Sequence, residues 1–496
     1  MDFIRNFPAF SIILAMMAAI VSSALKGKWA KWLNLIVIVT IMIMSGCVLV
    51  YTYQLGDSFV YTMGRFSAPW GNEIRAGVLE AMMALFFCVI MLLSLLGGRR
   101  HFYIDVEPSR HSLYYIMTNL LLSSLLALVY TNDLFTAYVF VEINTISACG
   151  LIMVVQNGRT IEAAIRYMIM SLLGSSLFLI GICILYDITG NLLMTSIYQE
   201  VVKIVADGTY TVPLVIAIAL LTTGLAIKSA LYPFHSWLPD AYGYSTISSS
   251  AMLSSLVSKG YIFLVIKIIF RVIGFTQFHD SKIINIIFVF GLIGMIMGSV
   301  NAIWENDIMR MIAFSSVAQI GYIYMGFGLG TREGMVAAIF HIFSHAATKA
   351  LLFVSAMGLR DVSGGSKRFI DLTGAGYRNV LAGVGFTVGA LSMVGIPAFS
   401  GFVSKLLFGQ AAVINEGKML PTLIVLAIST VLNAVYFMKT VIRIYTKEDT
   451  EYSTINELKH PNYAISIAMF IVLNLVLGLA SEPILNLVEY GLVMFE

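Results

Sequence analysis

LTTGLAIKSALYPFHSWLPDAYGYSTISSSAMLSSLVSKG, residues 221–260, sets two lysines, Lys228 and Lys259, inside apolar runs long enough to cross a bilayer. Between them lies a patch that interrupts helices, Pro233-Phe-His-Ser-Trp-Leu-Pro239-Asp240. An ammonium at membrane depth costs roughly 2.5–3.5 kcal/mol on insertion scales. Two of them beside a broken helix point to ion transfer. The competing reading places both lysines at the interface, with Lys228 snorkelling to one face. Lys259 lies mid-segment, between Ser248 and Ile269, where that escape is harder.

Composition agrees with a membrane setting. The chain has 496 residues, 59% hydrophobic and 11% charged, against about 25% charged in soluble domains. A net charge of +3 spread over the loops gives no sign of a nucleic-acid partner. Cys47, Cys88, Cys149 and Cys183 stand singly in apolar stretches, so no disulfide framework or metal spacing is readable and all four read as buried filler. The run Phe7–Leu25 is longer than a signal-peptide core, and lysines follow it, so it reads as an uncleaved first helix.

About 20 apolar residues are needed per span. On that rule fourteen candidates run near 8–25, 32–53, 76–96, 112–130, 133–155, 162–186, 211–231, 246–271, 284–304, 308–329, 334–357, 379–415, 421–445 and 462–480. The expected fold is an all-α polytopic membrane protein of about fourteen transmembrane helices. The twelfth run is too long for one span and is interrupted at Gly395-Ile-Pro397-Ala-Phe-Ser-Gly401, with Lys405 just beyond. Segments 7 and 12 each pair a lysine with a prolyl break, the pattern of a transporter built from two repeats with sites at the discontinuities. The expected organisation is 1–110 (helices 1–3), 111–275 (first five-helix repeat), 276–450 (second, inverted repeat) and 451–496 (helix 14). Odd-numbered loops hold most lysines and arginines, among them Lys26, Lys28, Arg99, Arg100, Arg360 and Lys367, with Arg271 and Lys282 against the trend. That bias puts both termini on the outer face of the cell membrane.

Other polar groups stand inside spans. Glu142 lies about ten residues into segment 5. Desolvation penalises a lone carboxylate and a nearby cation relieves it, so Glu142 is expected to pair with Lys228. Such a pair is the minimum of an electrostatic proton switch, and a static ion pair is the alternative. His341, His345 and Lys349 recur at four-residue spacing and share a helical face. No glutamate follows the first histidine as a zinc helix requires, so no metal site is expected. A polar stripe linking Lys259 toward Lys405 is the better reading, since histidine relays protons near neutrality. Ser254 and Ser258 are the expected polar support for Lys259, and His235 and Asp240 for the break at segment 7. No nucleotide loop, haem motif or Ser/His/Asp arrangement is readable.

These residues resemble the antiporter-like subunits shared by respiratory complex I, Mrp-type multisubunit cation/proton antiporters and membrane-bound group 4 hydrogenases. The resemblance is carried by DLFTAYVFVEI (133–143), AIKSALYPFHSWLPDAY (226–242), SSLVSKGYIFL (254–264), ENDIMRMIAFSSVAQIGY (305–322), FHIFSHAATKALLF (340–353) and GIPAFSGFVSKL (395–406). It implies two inverted five-helix repeats, broken helices 7 and 12, and a central hydrophilic axis. By motif position it implies that Glu142 and Lys228 are the glutamate–lysine pair, Lys259 the central lysine, His341, His345 and Lys349 the helix-11 relay, and Lys405 the charge of helix 12. Two departures stand out: lysine at 405, where one complex I relative carries glutamate, and GIPAFSGF where many relatives read GIPPxxGF. No long lateral helix follows segment 14, so the Mrp D-type subunit and its hydrogenase counterpart are the better matches.

The reading that follows is a proton-translocating subunit of a multisubunit complex. Its partners would be other membrane subunits, the lipid bilayer and protons, with sodium left open. No cofactor is expected in this chain, and any enzyme activity would belong to the larger complex. A non-conducting structural subunit is the alternative, and a stand-alone solute transporter the third.

Overall fold

The computed structural model describes residues 2–66, 71–447 and 461–495. The expected C-terminal unit therefore has its first ten residues, 451–460, and Glu496 outside the described residues. The protein is an all-α polytopic membrane protein. Twelve described helices are long and apolar enough to cross a bilayer, and two shorter apolar ones, Val380–Val394 and Ser400–Ile414, stand in line where the interrupted twelfth segment was expected. The eighth expected segment is helical throughout 247–273, but it contains wider π turns at Leu253–Val257 and Ile269–Ile273.

Helix ends follow local chemistry. Asp133 accepts a hydrogen bond from Thr136 N at 2.6 Å and starts the Leu134–Met153 helix. Asp307 accepts from Met309 N and Arg310 N and starts Ile308–Leu329. Such caps satisfy amide donors that have no partner within the helix. Gly190 and Gly330 close helices in the left-handed conformation, at φ 67° and 69°.

Arg332–Asp361 forms the centre, with every residue of its apolar window buried. Ile308–Leu329 packs on it and is nearly as enclosed, whereas Gly27–Leu55, Glu416–Ile444 and Pro461–Leu479 form the outer wall. With no hydrophobic drive between helices in lipid, small residues decide how closely they approach. A Cβ at Gly321 would lie 2.6 Å from Met295 N and 2.7 Å from Gly291 O, so Ile308–Leu329 and Ile283–Trp304 touch backbone to backbone. Gly224 and Gly174 do the same between Thr211–Ser229 and Gly158–Thr189, where a Cβ at Gly224 would meet Gly174 O at 2.6 Å. That second contact holds the end of the lysine-bearing half-helix in place.

Several features differ from expectation. The Thr211–Ser229 helix stops at Ala230 (φ 62°), and Pro233 sits in the irregular stretch that follows. Pro239 does not break anything. It occupies the first turn of Leu238–Tyr244, where a missing amide hydrogen costs nothing. Cys47 and Cys183 are exposed on the outer wall; only Cys88 and Cys149 are buried. Arg271 is not a loop charge but is buried within the helical run 247–273, so it carries no weight in the loop bias. The antiparallel hairpin Phe59–Thr62/Glu73–Ala76 and the helices Met194–Asp207 and Ser481–Val493 were not anticipated.

Candidate functional site

Three buried ammonium groups, Lys228, Lys259 and Lys349, and a half-buried fourth, Lys405, stand inside the bundle, each held mainly by backbone carbonyls and hydroxyls. At the end of Thr211–Ser229, Lys228 Nζ donates to Thr145 Oγ1 at 2.5 Å and lies 3.5 Å from Glu142 Oε1. It also faces the Tyr261 ring at 5.7 Å. The lysine side chain is fully enclosed, but that of Glu142 keeps 24% exposure, so the carboxylate is not the buried group expected. Glu142 accepts a short hydrogen bond from Ser175 on the neighbouring helix.

Lys259 follows a π turn. Its Nζ donates to Ser254 O at 2.5 Å and to Ser258 Oγ at 3.0 Å. Ser258 Oγ lies within 3.5 Å of the same Ser254 carbonyl. Ser254 Oγ reaches Ser316 Oγ at 3.2 Å, and Ser255 Oγ donates to Ala346 O at 2.8 Å. These two contacts tie the lysine-bearing helix to Ile308–Leu329 and Arg332–Asp361.

On Arg332–Asp361 the three spaced residues are all buried. His341 and His345 stack with ring centroids 5.8 Å apart and planes 9° from parallel. His341 Nδ1 shares a hydrogen bond with Ser404 Oγ at 2.6 Å. Among the described residues His341 Nε2 and both ring nitrogens of His345 are buried without a partner. Buried polar atoms are ordinarily paired with protein or water, so this stretch fits a hydrated relay. Lys349 Nζ donates to Ile312 O at 2.9 Å and to Ser315 Oγ. Lys405, past the second break, donates to Val394 O at 2.7 Å and Thr430 Oγ1 at 3.0 Å. Val394 ends the half-helix Val380–Val394, so the ammonium caps its negative end. The break passes through Gly395 (φ 91°) and Ala398 (φ 77°), with Pro397 exposed between them.

Two expected supporting residues sit elsewhere. Asp240 is gripped by Arg310 and, at 2.9 Å, by Arg166, an ion cluster that locks Leu238–Tyr244 to its neighbours at one membrane boundary. Its role is anchoring. His235 stacks on Tyr232 with centroids 5.0 Å apart and its Nδ1 is buried without a partner among the described residues. Neither touches a lysine of the path.

A second charged group was missed. Arg271 Nη2 lies 2.7 Å from Glu80 Oε1, both side chains being almost fully enclosed, and its guanidinium covers the Phe495 ring at 4.0 Å. Lys267, one turn earlier, donates to the carbonyls of Val129 at 2.9 Å and Thr131, capping His111–Tyr130. The signal was present: Lys267 and Arg271 stand four apart within one apolar segment, and Glu80 falls inside another.

No group of three or more histidine, cysteine, aspartate or glutamate side chains that could hold a metal occurs among the described residues.

Residues 131–433 match the model of the family described as NADH:quinone oxidoreductase/Mrp antiporter, TM. The chain is 32% identical to NADH-quinone oxidoreductase subunit N of Desulforudis audaxviator over 81% of its own length and 79% of the relative's. It is 26% identical to the D-type subunit of the Na(+)/H(+) antiporter of Alkalihalophilus pseudofirmus, covering 90% of this chain and 88% of that one. A chain in the structure of the membrane-bound sulfane sulfur reductase, an archaeal respiratory membrane complex, superposes with a TM-score of 0.89 at 25% identity, covering 100% of this chain and 98% of that one. A chain of the Mrp complex from Dietzia sp. shares the fold, with a TM-score of 0.87 at 23% identity over 99% and 97% of the two chains.

Proposed function

This chain belongs to the NADH:quinone oxidoreductase/Mrp antiporter family of membrane proteins, and from that premise we propose that it translocates protons as an antiporter-like subunit of a larger membrane complex. The observation that carries the proposal is the set of titratable groups Lys228, Lys259, His341, His345 and Lys349, all buried in the interior, with the half-buried Lys405 beyond the second helix break. Lys267 caps a helix end, whereas Lys228, Lys259 and Lys349 are each buried at a cost of roughly 2.5–3.5 kcal/mol on insertion scales beside other titratable groups, which supports proton transfer over a purely structural role.

Protons enter beside Lys228 and pass Lys259, the histidine pair and Lys349 before leaving past Lys405. Movement of Glu142 relative to Lys228 gates the first step, because the lysine already has an alternative partner in Thr145. The neighbours in the complex are other membrane subunits of an antiporter or redox assembly, and the complex lies in the cell membrane with both termini of this chain outside. The energy source, sodium exchange or redox chemistry, resides in those neighbours.

The test is proton movement by the intact complex in sealed vesicles, comparing wild type with Lys228→Ala, with assembly checked for each. Transport lost from an assembled complex supports conduction through this chain. Transport unchanged moves the function to a neighbouring subunit.

A further inference from the structure

The described surface carries a cavity of about 970 Å³ whose lining includes none of the lysines Lys228, Lys259, Lys349 or Lys405. It opens at a membrane boundary, between the Trp304 end of Ile283–Trp304, the 368–370 stretch and the C-terminal end of Glu416–Ile444. Three of its lining residues are cations: Arg368, Lys439 and Arg443. Among the described residues none of the three takes part in an ion pair, and the acid on the same wall, Glu305, is already bound to Arg310 at 3.0 Å. Arg443 is anchored by its Nε, which donates to Phe369 O at 3.2 Å, leaving the rest of the fork unassigned.

The helix that supplies two of these cations is graded along one face. Val431, Val435, Lys439 and Arg443 follow one another at four-residue spacing, apolar toward the bilayer interior and cationic at the helix end. Val431 and Val435 are exposed, at 62% and 46%, as is Ile370 across the opening, at 68%. Exposed valines on a helix face that leads to a cavity lined by three cations, none of them in an ion pair among the described residues, match one ligand chemistry, a phosphodiester attached to acyl chains.

We propose that this groove is a binding site for an anionic phospholipid, its phosphate held by Arg368, Lys439 and Arg443 and one acyl chain lying along Val435 and Val431. The inference rests on the membrane fold and not on proton conduction, so either can fail without the other. Arg's planar fork matches phosphate bidentately, and each Lys or Arg near an anionic headgroup is worth roughly a fivefold gain in binding.

The full-length chain, purified in a neutral detergent and stripped of lipid, is titrated with phosphatidylglycerol, phosphatidylcholine or inorganic phosphate. Bound lipid is counted by native mass spectrometry. Phosphatidylglycerol is expected to bind in preference to phosphatidylcholine, and R368Q/K439Q/R443Q to lose about a hundredfold in affinity. A second variant, Val435→Trp, fills the furrow without touching the charges and is expected to weaken binding as well. Unchanged binding in the folded triple variant overturns the proposal, and so does equal binding of phosphatidylcholine by the wild type. If inorganic phosphate competes fully and V435W binds normally, the groove is an anion site without a lipid, and the proposal falls.

Discussion

Lys228 Nζ stands 3.5 Å from the Glu142 carboxylate, yet the same ammonium makes its closer contact, 2.5 Å, to Thr145 one turn further along the glutamate's own helix. The carboxylate in turn accepts from Ser175 and reaches the protein surface. The lysine is thus poised between a charged partner and a neutral one, which a purely structural ion pair would not require. Glu142→Gln keeps the shape and the Ser175 contact but deletes the charge. Proton transport is expected to fall by roughly a hundredfold or more, the lower end of what a positioned proton-transfer group contributes, while the complex stays assembled. Transport at the wild-type rate would leave the pair without a gating role.

Lys259 provides a sharper comparison because its two partners differ in kind. Ser254 contributes a carbonyl and Ser258 a hydroxyl. Ser254→Ala retains the carbonyl and loses only the link to Ser316, whereas Ser258→Ala removes one of the lysine's acceptors. A hydrogen bond to a charged group is worth about 1.5–3 kcal/mol, so S258A is expected to slow proton transport about tenfold and S254A far less. Equal effects, read as initial rates in vesicles, would mean that the serines matter through packing alone.

Much of this site was legible because its signals are local. A lysine inside an apolar run, a proline beside it, and histidines at helical spacing announce themselves at Lys228, Lys259, His341, His345 and Lys405 without any knowledge of the fold. What was not legible depends on distant partners. Asp240 looked like support for the break, but Arg310, seventy positions away, and Arg166 claim it. Arg271 looked like a loop charge because nothing near it in sequence reveals Glu80. The π turn before Lys259 has no sequence signature, and the hairpin Phe59–Thr62/Glu73–Ala76 is shorter than any periodicity that would announce it.

Lys367 lies outside the spans and supports a pH prediction. Its ammonium donates to Gly243 O at 2.8 Å, joining the loop after Arg332–Asp361 to the end of Leu238–Tyr244. Burial pushes its pKa below the usual 10.5, with Asp307 pulling the other way. The unfolded chain therefore binds this proton more tightly than the folded one. In the window between the lowered value and 10.5 the residue's contribution to stability rises with pH, and it falls again as the lysine charges on acidification. Lys367→Met abolishes that slope. Thermal unfolding of wild type and variant, followed from pH 8 to 10.5, is expected to give curves that converge at the alkaline end, and parallel curves would refute the assignment.

The second helix break carries the departure from GIPPxxGF, and the structure gives it a physical meaning. Ala398 stands where that pattern has its second proline, and it adopts φ 77°. A pyrrolidine ring fixes φ near −65°, so restoring the proline is incompatible with this backbone, and the substitution does not simply tighten the break. The turn is also hemmed in, since a Cβ on Gly478 would collide with the Ala398 carbonyl oxygen. Ala398→Pro is expected to destabilise the protein by more than about 1 kcal/mol, with the loss of transport that follows from displacing Lys405, which is bound to Val394 O on the other side of the same turn. Ala398→Gly is expected to do the reverse, relieving roughly 1–2 kcal/mol of left-handed strain and raising the unfolding temperature. A stabilising proline together with a destabilising glycine would show that the break closes through a different backbone path from the one described.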